Sequence, residues 1–363
     1  MINGLIITNP GLEAISAEEI KELVKATNVK TSSGKITFSC TDYQALIDLC
    51  YHGRTFTKVM LLLDSFSFEG MPAPRVDNLP FVQPTILVDC ERIGEHGFTS
   101  ADVSRDWSLA IVEKYSVKMN WKKPLTTYFL LIEDDNAWFG VDFSGKDLGR
   151  RDYRIFLGTE SLKGTIAAGI LKFAEYEPKK SILDPFCRHG IIPIEAALIA
   201  TNTSPNLFGK EKFAFANLSI PFELTDKPRE RKGIIISMDD NFKNVSSAQK
   251  NAKIAGVVKS IDFSRTDLKW LDAKFGKNFL DMIVTMPAQP GKILTDEIIK
   301  KIAHQFFYQA EFIMKKTGTV CLCLKRGHEI YHAKAVEFGF KQIKSLIVTQ
   351  GGEQMTFVLY SRV

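Results

Sequence analysis

Apolar and polar positions over the first residues follow two rhythms in turn. Gly4 to Thr8 is an apolar run of strand length; Asn9-Pro10-Gly11 breaks it before Ile15, Ile20 and Leu23 recur at helical spacing. Lys35 to Cys40 and Thr57 to Leu63 read as two more strands, with a helix from Asp42 to Leu49 between them and Asp42 as its start signal. A β-α-β-α-β order of this size predicts a ferredoxin-like α+β module over residues 1–70. The three prolines of E-G-M-P-A-P-R-V-D-N-L-P then predict a connecting loop.

Residues 71–147 repeat the style. Thr85 to Cys90 alternates as a strand, and after the turn-rich E-H-G-F-T-S a helix opens at Ser100-Ala101-Asp102 and runs through Val103, Trp107, Ala110 and Val112. Two strands, Thr127 to Glu133 and Ala137 to Phe143, flank the turn Asp134-Asp135-Asn136. A basic linker follows over 148–160. From there the elements lengthen. A helix is expected from Leu162 to Tyr176, a strand at Ser181 to Leu183 closing on Asp184-Pro185, and a helix from Ile191 to Ala200. Gly233 to Met238 is a buried strand closing on Asp239. A helix around Asn251-Ala252-Lys253 follows, then a strand Ile261 to Phe263 before Asp267, and strands Leu280 to Thr285 and Thr319 to Leu324. Strands alternating with helices predict an open parallel sheet over 161–363, with its ligand site beyond the carboxyl ends of the strands. The fold class is α/β.

Composition narrows this only a little. With 363 residues, 45% of them apolar and 25% charged, the chain can build a core in each of several domains, and fibrous or disordered classes are excluded. Lys and Arg number 47 against 42 Asp and Glu; a net +5 permits an acidic partner without demanding one. No targeting or spanning segment is visible, so a cytoplasmic protein away from the membrane is expected. The six cysteines include no C-x-x-C pair and the six histidines no metal spacing, so no metal site is expected. Cys321 and Cys323, two apart on a strand, should share a buried face.

The chemistry-bearing positions lie at the strand ends. Gly190 opens a helix where backbone can approach a ligand; Asp239 stands where an acid can accept ribose hydroxyls, and Asp267 can meet an adenine amine or cap its own turn. Lys122, Lys123, Lys146, Arg150, Arg151 and Arg154, with Phe98 and Tyr153 for stacking, make either a phosphate-facing patch or a solvated linker. The stretch 201–232, ending in K-P-R-E-R-K, reads as a solvated loop.

Two of these stretches, G-E-H-G-F-T-S-A-D-V and W-F-G-V-D-F-S-G-K-D-L-G-R-R-D-Y-R, resemble the THUMP domain and following linker of THUMP-containing RNA methyltransferases. D-P-F-C-R-H-G-I-I-P-I-E-A-A resembles the first motif, D-P-F-C-G-S-G-T-x-x-I-E-A-A, of the class I S-adenosylmethionine-dependent enzymes that methylate guanine N2 in tRNA. S-M-D-D-N with N-A-K-x-A-G resembles their second motif, and E-S-L-K-G-T-I-A-A the helix before the first strand. The likeness spans essentially the whole chain. It implies a ferredoxin-like piece, a THUMP domain and a Rossmann-like methyltransferase domain. It also implies a tRNA gripped near its acceptor end, and S-adenosylmethionine held at Asp184, Arg188, Gly190, Asp239 and Asp267.

Two departures fall on the chemistry. Arg188 and His189 replace Gly and Ser in the first loop. Met286-Pro287-Ala288-Gln289 replaces [N/D]-P-P-[Y/F/H], in which the acid or amide accepts from the exocyclic amine and the ring stacks on the base. Met286 is no acceptor and Gln289 has no π face, though its amide is a substitute acceptor if it reaches the base from a shifted position. Two readings stay open: an RNA-binding relative with lost or impaired methyl transfer, serving as a binding protein or modification-complex subunit, and an active tRNA guanine-N2 methyltransferase. No protein partner is legible.

Overall fold

The computed structural model describes residues 1–158 and 160–362; Thr159 and Val363 lie outside the described residues. The chain forms two compact units. Met1–Thr8, Ser16–Leu148 and Gly209–Thr225 make the first, and Asn9–Ile15, Gly149–Phe208 and Asp226–Val363 the second.

The first unit holds β1 (Ile2–Thr8), most of α1 (Glu13–Val24), β2 (Thr27–Ser32), β3 (Lys35–Cys40), α2 (Tyr43–His52) and β4 (Phe56–Ser67). It continues with β5 (Thr85–Ile93), α3 (Ser100–Tyr115), β6 (Lys118–Met119), β7 (Thr126–Glu133) and β8 (Asn136–Asp142). Its strands make one sheet in the order β2-β3-β1-β4-β8-β7-β5-β6. The modules expected over 1–70 and 71–147 are therefore joined edge to edge, β4 pairing with β8 from Met60↔Asp142 to Ser67↔Asn136. They also share one core, in which Leu46 and Phe56 belong to the same buried cluster as Trp107, Tyr128 and Phe139. The expected opening of α3 is a capping box: the Thr99 side chain accepts from the Asp102 backbone N–H, and the Asp102 carboxylate accepts from the Thr99 N–H at 3.0 Å.

The expected solvated loop over 201–232 is corrected. Its middle, Gly209–Thr225, belongs to the first unit, where Phe213 and Phe215 are buried in the core and stack at 4.9 Å. The Phe215 N–H donates to the Phe143 carbonyl at 3.2 Å. Gly145 has φ +70°, and a Cβ there would stand 2.7 Å from the Ala214 nitrogen, so only glycine lets this strand end meet the segment. Apolar burial of the two phenylalanines outweighs the polar residues that flank them.

In the second unit, α4 (Gly164–Phe173) precedes β9 (Ile182–Asp184), α5 (Ile191–Ala200), β10 (Ile235–Asp239), α6 (Phe242–Ile254), β11 (Asp262–Arg265) and α7 (Leu271–Lys274). Then come β12 (Leu280–Thr285), α8 (Asp296–Ile313), β13 (Met314–Leu324), α9 (His328–Glu337), β14 (Phe340–Gln350) and β15 (Glu353–Arg362). The order is β11-β10-β9-β12-β13-β15-β14, with β15 antiparallel to both its neighbours. β10 and β12 both run parallel to β9 but lie on opposite flanks of it, so the strand order reverses there, which creates the crevice where open α/β sheets bind ligands. Cys321 and Cys323 are buried together, as expected. Arg229 ends the K-P-R-E run by donating to the carbonyls of Ala200 at 3.0 Å and Ile199 at 3.2 Å, a cationic cap on the last turn of α5.

Candidate functional site

The crevice is built from three strand ends. At β9, Asp184 is 3% exposed; its Oδ1 accepts from the Thr285 hydroxyl at 2.6 Å and the Phe186 N–H at 3.2 Å. Burial, against those hydrogen bonds and the nearby Arg188, pushes its carboxyl up to about 7. The following loop leans on β10. Cys187 N–H donates to the Met238 carbonyl at 2.8 Å, and Arg188 N–H to Asp239 Oδ2 at 2.9 Å. Burial also holds the Cys187 thiol well above its ordinary range, so it is no nucleophile.

Arg188 has φ +47°, a left-handed backbone where the resembling motif has glycine. Its guanidinium ion-pairs with Glu160 at 3.1 Å and donates to the Pro287 carbonyl at 3.4 Å. His189 is 8% exposed, its Nδ1 has no hydrogen-bond partner among the described residues, and burial and the Arg188 charge hold it below the usual histidine range. Gly190 caps α5 with φ +78°. A Cβ there would come 2.7 Å from the Ala248 Cβ, so this glycine lets helix α6 pack close to the loop.

Asp239 is buried and spends both oxygens on its own surroundings. Oδ2 takes Arg188 N–H, while Oδ1 takes Asn241 N–H at 3.0 Å and Asn244 Nδ2 at 2.9 Å. Asp267 is exposed and caps the next turn, accepting from Lys269 N–H at 3.1 Å and pairing with its ammonium at 3.2 Å.

The end of β12 is equally committed. Met286 is buried and lines the crevice. The Ala288 carbonyl accepts from Tyr331 Oη at 2.6 Å. Gln289 is 6% exposed: its Oε1 accepts from the backbone N–H groups of Lys325 at 2.7 Å and Arg326 at 3.1 Å, and its Nε2 donates to the Cys323 carbonyl at 3.4 Å. The amide ties the loop to the end of β13, which corrects the expectation of a shifted substitute acceptor. Between Glu160, Asp184, Arg188, His189, Ile191 and Met286 the crevice retains a cavity of ≈ 20 Å³, about the space of one water. An open polar cleft of ≈ 560 Å³ is lined by Glu160, Ser161, Lys325, Arg326, Gln350, Glu353 and Gln354, with Lys325 paired to Glu353.

The expected RNA-facing residues scatter in character. Lys122 and Lys123 are exposed in the turn before β7, their N–H groups held by Asn120 Oδ1 at 3.1 Å. Lys146 is half-buried with its ammonium 5.2 Å from the centre of the Phe213 ring. Phe98 is half-buried between Phe68 and His96 at ring distances of 6.3 and 5.0 Å. Arg150 is exposed; Arg154 is half-buried and reaches Ser161 Oγ at 3.4 Å.

Arg151 and Tyr153 are corrected outright. Arg151 Nε and Tyr153 Oη both donate to Glu195 Oε1 at 2.8 Å, the ion pair is fully buried, and neither side chain is open to phosphate or base. The one signal in the sequence was Glu195, a carboxylate inside an apolar helix that needs a partner, and it does not point to Arg151 or Tyr153. Asn251, which opens N-A-K-x-A-G, was given no site role from the sequence; it is buried and fully bonded. Its Oδ1 accepts from Phe156 N–H at 2.9 Å, and its Nδ2 donates to the carbonyls of Phe156 and His189, each at 3.0 Å. Among the described residues no cluster of His, Cys, Asp or Glu is able to hold a metal ion, and no helix is long and apolar enough to cross a membrane.

Residues 151–356 match the model of the RMKL-like methyltransferase domain, and residues 5–60 that of the RlmL ferredoxin-like domain. The tRNA (guanine(6)-N2)-methyltransferase of Methanocaldococcus jannaschii is 29% identical over 98% of this chain and 98% of its own. Its namesake in Archaeoglobus fulgidus is 28% identical over 94% of this chain and 88% of its own. In fold, the chain resembles TrmN from Thermus thermophilus, with TM-score 0.74, 21% identity and full coverage of both chains. It also resembles SMU.472, a methyltransferase structure complexed with SAH, with TM-score 0.79, 17% identity and coverage of 100% and 98%.

Proposed function

The chain belongs to the RMKL-like methyltransferase family, and we propose from that membership and from the site that it binds tRNA with methyl transfer lost or impaired. The observation that carries the reading is the state of Met286-Pro287-Ala288-Gln289. Methyl transfer to an exocyclic amine needs an acceptor that turns the nitrogen lone pair toward the methyl group. Met286 has no such oxygen, and the Gln289 amide is spent on the backbone of 323–326. Both relatives named above are tRNA methyltransferases by name, which supports tRNA as the polymer bound.

The residues present do not fit S-adenosylmethionine. Arg188 and His189 occupy the loop where the resembling motif has Gly and Ser, and three hydrogen bonds already draw on Asp239. On this reading the protein keeps the family's RNA grip, with a THUMP-type module over residues 71–147, and acts as a binding protein or as a subunit of a modification complex. The opposing reading, an active tRNA guanine-N2 methyltransferase, draws on the near full-length likeness to enzymes of that name. Retention of tRNA on filters, run beside label transfer from S-adenosylmethionine, separates them. Retention without transfer is expected; guanine methylation would overturn the proposal, and absent retention would remove its RNA half.

A further inference from the structure

We propose that Arg188 is a built-in occupant of the cofactor crevice, a side chain of the protein itself that closes the place where the fold would take a nucleoside ligand. The inference rests on the reading above and deepens it by naming the single residue responsible. A non-glycine residue at φ +47° is held against its backbone preference, so the surroundings must fix it there. They do so from three directions. Asp239 takes its N–H at 2.9 Å, Glu160 its guanidinium at 3.1 Å, and the Pro287 carbonyl lies 3.4 Å from the same Nη2.

Those partners belong to the end of β10, to the segment before α4 and to the end of β12. The arginine thus bridges the gap that the reversal around β9 opens. Its side chain is only 20% exposed. The neighbouring ring of His189 completes the filling: a Cβ at Gly158 would stand 2.8 Å from its Nε2.

Volume, rather than charge, excludes the cofactor. The guanidinium fills the crevice against any adenosyl ligand. Its positive charge is already paired with Glu160 at 3.1 Å, so the bulk of the side chain carries the exclusion. Bulk and charge separate by substitution. Arg188→Gly removes both and relieves the backbone; Arg188→Met removes charge and keeps most of the bulk.

The test is calorimetric titration of the full chain with S-adenosylhomocysteine and S-adenosylmethionine, with melting temperature as the check on folding. Wild type should bind neither ligand up to about 1 mM. Arg188→Gly should bind S-adenosylhomocysteine at least tenfold more tightly than wild type, and Arg188→Met should gain nothing. If the glycine loosens the loop and lowers the melting point, Arg188→Ala, which keeps a Cβ, carries the same expectation. Micromolar binding by wild type would overturn the proposal, as would an Arg188→Gly protein that melts like wild type and still binds neither ligand. Wild type that binds the cofactor yet methylates no tRNA sinks the arginine proposal alone and leaves the Met286 argument standing.

Discussion

Replacing Asp184 by Asn measures how dry the end of β9 is. The carboxyl is 3% exposed, and burial lifts it from 3.8 to about 7 against hydrogen bonds from Thr285 and Phe186. A carboxyl with a raised native pKa favours folding most at pH values below its unfolded pKa. As pH climbs from about 4 to about 7 the unfolded chain ionises while the native state stays protonated, so stability is lost through that window and is level above it. Each unit is worth about 1.4 kcal/mol, and the interval from 3.8 to about 7 therefore costs about 4 kcal/mol once pH passes the native value.

Asparagine keeps an Oδ1 that accepts from the Thr285 hydroxyl and the Phe186 amide, and it cannot ionise. Urea unfolding of the two proteins side by side cancels every other titrating group in the difference. Asp184→Asn should gain about 2 to 4 kcal/mol on wild type between about pH 4 and about pH 8, nearly all of it below about pH 7. Parallel stability curves would mean that water reaches this carboxyl, and the closed crevice would fall with it.

The aromatic segment and the surface cations give two further tests. Phe215 is fully buried in the first unit, so Phe215→Ala should cost about 3 to 5 kcal/mol in denaturant unfolding followed by tryptophan emission; three of the four tryptophans, Trp107, Trp121 and Trp138, lie in that unit, and a cost below about 1 kcal/mol would remove the segment from the core. Arg150→Glu with Arg154→Glu should weaken tRNA retention and flatten its salt dependence, whereas unchanged affinity would take this stretch out of the RNA surface.

The fold was legible where elements are apolar enough to announce their period. β1, β3, β9, β10 and β12 lie at or close to the positions that their runs predicted. β2, T-N-V-K-T-S, is almost wholly exposed, and β14 turns its polar residues outward along most of its length, so neither carries a strong alternation. α8 repeats Ile299, Ala303, Phe306, Phe307 and Ala310 at helical spacing and was open to the same rule, though no expectation named it. The Phe213 segment was not legible, because its burial depends on a core laid down by residues far earlier in the chain.

Site residues divide in the same way. Arg188 and Met286 stood out as departures from a motif, and their side chains do line one crevice. Arg151 read as surface because the run around it is basic; only its pairing with Glu195, 44 positions away, shows otherwise. Local charge density records composition, whereas burial of a charge is settled by a partner that the local window does not contain.

Methyl transfer onto bound RNA tests the central claim most directly. The protein, a tRNA mixture it retains and S-adenosylmethionine labelled on the methyl group are incubated together, and the digested nucleosides are counted. The account predicts tRNA held on the protein with no label in N2-methylguanosine above the RNA-only control. Label accumulating there over repeated turnovers would contradict it.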